Sequence, residues 1–162
     1  MSGAVSANRF LPALLLGLSI VGVGCSGPRV REEKNDEGYS ISIGPIDVSA
    51  LVNLHIDAKL VAANLPAPED VAVTFHFRYK DFQQVTALAD GRPFKAPRQS
   101  FGENRARYSL EKFRAIGRAR KLEFLFDREV ERFPIAKDQL RKLQHFVTKL
   151  DFQYESYRAG RP

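Results

Sequence analysis

Four groups of side chains in this chain are of types that do chemistry. His55 and His76 form the first, with Asp57 two residues beyond His55. Both histidines fall where apolar and polar residues alternate, at 52–60 and 71–79, and a connection at 64–70 between them carries two prolines. Such alternation puts successive side chains on opposite faces of a strand. Leu51, Leu54, Ala58, Val61 and Leu65 also recur at helical spacing, but nine residues of unbroken alternation favour the strand. If the strands pair symmetrically about the proline connection, Leu54 faces Phe77 and Ile56 faces Phe75. The two imidazoles then stand opposite each other, with Asp57 diagonal to His76, and a one-residue slip would destroy the match of apolar faces. Cross-strand neighbours have Cβ atoms about 5 Å apart, near enough to share a metal ion, but a structural zinc site takes four ligands. His55 and His76 are thus metal candidates; the reading adopted is two exposed histidines on a polar face, with no metal and no cofactor.

The second group is Ser109-Leu-Glu-Lys112, the Ser-x-x-Lys spacing in which a lysine one helical turn on activates a serine. Neither Ser-Asp-Asn nor Lys-Thr-Gly follows it. Ser109 is accounted for as the N-cap of a short helix that turns Leu110, Phe113 and Ile116 inward and ends at Gly117. The third group is Glu129 and Glu131, which flank Val130 at a spacing that sets both carboxylates on one strand face. A glycosidase uses such a pair, and so does the polar side of any half-buried strand. No Walker loop, Rossmann glycine pattern after a strand, His-Glu-x-x-His, paired cysteines or Gly-x-Ser-x-Gly occurs. The chain is read as non-enzymatic.

The fourth group is cationic and carries the most weight. Residues 25–90 hold 6 basic and 10 acidic side chains, whereas 91–150 hold 16 basic and 7 acidic. Within 92–121, ten cations stand against only Glu103 and Glu111, and seven of the ten are Arg. Arg suits the bidentate binding of phosphate or carboxylate. Arg105, Arg107, Arg114, Arg118, Arg120 and Lys121 are the candidate binding residues for an anionic partner, with Arg118, Arg120 and Arg132 expected to converge at one end of the sheet. The alternative is a solvated cationic surface that keeps the domain soluble.

The elements that must position these groups suggest an α+β fold. Residues 39–43, 52–60, 71–79, 82–89, 122–126 and 130–133 read as strands, with a turn at Asp90-Gly91 and a long loop over 92–104. Asp138 is expected to cap an amphipathic helix whose stripe is Leu140, Leu143, Phe146, Val147 and Leu150. The architecture expected is one small antiparallel sheet of about five to seven strands, with two helices, the C-terminal amphipathic one included, on one face or end.

The first 24 residues read as an address. Arg9 precedes fifteen uncharged residues, 10–24, too few to span a bilayer as a helix. A positive start, a short apolar run and a small-residue exit mark a secretory signal. Gly22-Val23-Gly24-Cys25 then resembles the lipobox of bacterial lipoproteins, departing from it at Gly22, where the family usually has Leu. The resemblance implies cleavage before Cys25, acylation of that cysteine and, with Ser26 rather than Asp after it, retention at the outer membrane facing the periplasm. It covers the targeting segment and implies no activity. Cys25 is the only cysteine, so no disulfide forms within the chain.

The organisation expected is a signal peptide at 1–24, a polar tether at 25–38, one domain at 39–150 and a polar tail at 151–162. Its 44% hydrophobic content is too high for a disordered chain. The function expected is a non-catalytic envelope component, an accessory or adaptor domain that binds another envelope protein. The alternative is direct binding of lipid headgroups, lipopolysaccharide or cell-wall polymer through the basic face. A small hydrolase is the distant third, and export disfavours nucleic acid.

Overall fold

The computed structural model describes residues 28–35, 38–60, 67–68, 71–99, 103–127 and 132–160. Among them, nine strands and two helices form two antiparallel sheets, so the class is α+β. The five-stranded sheet runs in the order β1 (Arg29–Asn35), β2 (Gly38–Asp47), β3 (Asn53–Leu60), β4 (Ala72–Arg78) and β7 (Arg105–Ser109). The four-stranded sheet runs β6 (Arg92–Pro97), β5 (Gln84–Ala89), β8 (Leu122–Phe126) and β9 (Phe133–Pro134). One bridge, Arg98 to Ala106, joins β6 to β7 and makes the two sheets nearly continuous.

The β3–β4 register is the one the alternation dictates: Leu54 pairs with Phe77, His55 with His76 and Ile56 with Phe75. The inward residues of β4 then meet those of β8. Phe77 lies 5.2 Å by ring centroids from both Phe124 and Phe126, and Phe75 lies 6.2 Å from Phe124, all edge-on. Such pairs add about 0.5–1.5 kcal/mol each beyond their burial. Helix α1 (Leu110–Gly117) and helix α2 (Lys137–Arg158) extend this core: Phe113 stacks edge-on against Phe75 at 5.7 Å and Phe146 at 5.8 Å. A Cβ on Gly117 would run into Val147 Cγ2, so the glycine sets how closely α1 approaches α2.

Several expectations meet a different structure. Residues 29–35, expected in the tether, form β1, an edge strand on which apolar alternation fails for a physical reason. Its inward Glu32 meets polar groups, accepting from Tyr39 Oη at 2.9 Å and pairing with Lys149 of α2, so no hydrophobic period is required there. The 92–104 stretch holds β6, where Pro93 and Pro97 are tolerated because β6 is an edge. Helix α2 begins at Lys137 after an N-cap Ala136 that makes no side-chain cap, which leaves Asp138 in the first turn rather than at the cap. It also runs through most of the expected tail, because Tyr154 and Tyr157 continue the buried stripe. The sheet is two sheets. Residues 1–27 lie outside the described residues, as do 64–66, 69–70, Glu129, Val130 and Glu131. No described helix is long and apolar enough to cross a membrane.

Candidate functional site

The basic stretch is divided by the fold. On β7, Ala106 and Tyr108 turn inward, so Arg105 and Arg107 stand on the outer face of the five-stranded sheet. Arg105 Nε is 3.2 Å from Glu103 Oε2. Arg114, on α1, is held to α2, its Nε 2.6 Å from Asp151 Oδ1 and its guanidinium 5.3 Å from the Tyr154 ring centroid. Arg118 pairs with the other oxygen of Asp151, a side chain only 15% exposed. Lys121 Nζ lies 3.0 Å from Glu123, which is nearly buried and also holds Arg132 at 3.5 Å. Arg118 and Arg132 are therefore drawn to different carboxylates, and the expected convergence with Arg120 does not form.

Arg120 meets other partners. Lys137, Leu140, Arg141 and Gln144 recur at helical spacing and present one stripe of α2. Together with Arg120 they line a groove of about 240 Å³. Two clamps fix the connection that carries Arg120. Gln144 Nε2 donates to Ala119 O at 2.9 Å, and the Asp90 carboxylate accepts from the Arg120 and Lys121 backbone N–H groups at 3.0 and 2.9 Å. Among the described residues, Arg120, Lys137 and Arg141 form no ion pair with a carboxylate, whereas Arg114, Arg118, Lys121 and Arg132 all do. Three cations lining one small groove are of the chemistry that suits an anion, since guanidinium forks take a phosphate or carboxylate in bidentate fashion. The groove is smaller than sites that enclose a whole small molecule, roughly 300–1,000 Å³. It fits a single anionic group.

The histidines lie elsewhere, on the outer face of the large sheet. They border a shallow groove of about 530 Å³ with Pro45, Asp47, Asn53, Phe77 and Arg78. The β2–β3 register shifts between Ile43 and Ile46, leaving Gly44 and Pro45 as a bulge. The His55 ring lies over Gly44, where a Cβ would come within 2.5 Å of it. His76 instead turns to Asp57, pairing through Nε2 with Oδ2. No three His, Cys, Asp or Glu side chains among the described residues are grouped to hold a metal ion. Ser109 Oγ accepts from the Lys112 backbone N–H at 3.3 Å as the cap of α1.

Of the expected cationic residues, then, only Arg120 belongs to the groove, and Lys137 and Arg141 join it from α2, where Arg141, like Lys142 and Lys149, reads in sequence as lying outside the apolar stripe. The i, i+4 spacing of Lys137 and Arg141 was visible in the sequence; that their stripe faces Arg120 depends on the packing of α2. Comparison of the chain with protein-family models, with curated proteins and with solved structures found no match.

Proposed function

We propose that this chain is a bacterial lipoprotein, anchored by acylated Cys25 at the outer membrane. Its α+β domain acts there as a non-catalytic adaptor that holds another envelope protein by a carboxylate-bearing segment. One observation carries the binding role: Arg120, Lys137 and Arg141 share a groove whose walls are clamped, while Arg114, Arg118, Lys121 and Arg132 are each drawn to a carboxylate elsewhere. The lipobox-like Gly22-Val23-Gly24-Cys25 supports the location. The non-catalytic reading draws support from Ser109, whose hydroxyl caps α1.

In-cell crosslinking followed by mass spectrometry tests the proposal, beside Cys25→Ala and the double reversal Arg120→Glu/Arg141→Glu. The expected result is one dominant protein partner, lost in the double reversal and released by rising salt, since exposed charge pairs are screened beyond about 10 Å at 0.1 M. A second reading rests on the size of the groove, which fits a lipid or polysaccharide phosphate equally well. Recovery of the domain on lipid or wall polymer, with no protein partner, would put that reading first.

A further inference from the structure

Resting on the acylation of Cys25, we infer that the domain sits directly on the lipid surface, by the end of the large sheet at which β1 begins. Pro28 is already buried and Arg29 already paired in β1, so only Ser26 and Gly27 separate the anchor from the folded domain. Four residues reach at most roughly 14 Å, so Arg29 cannot stand further than that from an acylated Cys25. The stretch that reads as a tether in sequence is mostly sheet.

The topology says which surface this short link presses down. The ladders are antiparallel, so β1 starts where β2 ends, where β3 starts and where β4 ends. The loop between β2 and β3 therefore projects from the anchored end, and it carries Leu51, 67% exposed and one of two large exposed apolar side chains among the described residues. The loop is built to hold Leu51 outward. Val48 and Val52 on either side of it are buried, Val48 N–H donates to Val52 O at 2.9 Å, and Ser49 Oγ accepts from the Leu51 and Val52 N–H groups at 3.1 Å. Arg29 and Arg78 are exposed at the same end, with Asp47 between them in the sheet and the exposed acids Asp81 and Glu103 at the β4 and β7 side of that end. An exposed apolar tip at the end of the domain that the short link holds down fits the headgroup boundary of a bilayer, and the cations Arg29 and Arg78 at that end lie within reach of its phosphates.

The test uses the acylated full chain in vesicles of phosphatidylethanolamine and phosphatidylglycerol. A bimane probe is attached through Leu51→Cys or, at the opposite end of the sheet, through Glu111→Cys; the acylated Cys25 does not react. Doxyl-labelled lipid should quench the probe at position 51 at least about five-fold more strongly than the probe at 111, as expected of an apolar side chain in the headgroup boundary. Equal quenching in a protein whose intact mass shows the acyl chains would overturn the seating and leave the anchor standing. An intact mass without acyl chains would sink the anchor, and the seating with it.

Discussion

At Gly117 the packing of two helices depends on a missing methyl group. A Cβ there meets Val147 Cγ2, and Val147 is fully buried among core side chains. Gly117→Ala should destabilise the domain by about 1–3 kcal/mol, the usual cost of overpacking, read from urea unfolding. Gly117→Ala/Val147→Ala should cost less than the sum of the two single losses, since the second change removes the clash made by the first. In the sequence Gly117 was legible as a helix end, but the approach of Val147 was not, because nothing local ties the two positions together. The same limit hid the carboxylate that Arg114 and Arg118 share. Asp151 lies in a stretch that reads as polar tail, and only the run of α2 past it brings it to α1.

Elements were legible where one face is wholly buried. The β3–β4 register follows from two alternating stretches and a proline connection, and His55 opposite His76 follows from the register. Alternation failed at two of the edge strands, β1 and β6. β1 has polar partners beneath it, and β6 carries two prolines, so neither shows a period of two. The end of α2 was obscured by composition, since two buried tyrosines stand among Asp, Gln, Glu, Ser and Arg. Tyr154→Ala should cost about 3–5 kcal/mol in thermal or urea unfolding, as core aromatic truncations do. A true tail would show a loss within experimental error.

Across the whole molecule the first and last elements are tied by one pair, Glu32 of β1 with Lys149 of α2, which are 117 positions apart. The Lys149 ammonium, and after it the Tyr39 hydroxyl, hold the Glu32 carboxyl below its ordinary value near 4.5. A depressed carboxyl stabilises the fold above its unfolded pKa, and that contribution is lost as pH falls through the folded one. Glu32→Gln should therefore lower stability at neutral pH and flatten the acid limb of a stability–pH curve below pH about 4.5. The uneven charge of the chain, acidic early and basic late, was legible as a number; its partition into neutralised pairs and one groove is a property of the packing. The α+β class was legible because helix and strand periods are local, whereas the division into two sheets turns on which strand each edge meets.

The hairpin tip at Asp90-Gly91, with φ of 50° and 82°, has the shape of the tight two-residue turns that join antiparallel strands. Such tips are ordinarily where a domain best accepts extra residues. This one is tethered across the molecule, since its carboxylate grips the backbone of Arg120 and Lys121 about thirty positions downstream. One glycine inserted between Asp90 and Gly91 should release that grip, lowering the melting temperature and weakening the anion capture proposed for the Arg120 groove, read by calorimetry and by the crosslinking yield. In an evolutionary comparison, the length of this loop would be as constrained as the core it lies outside.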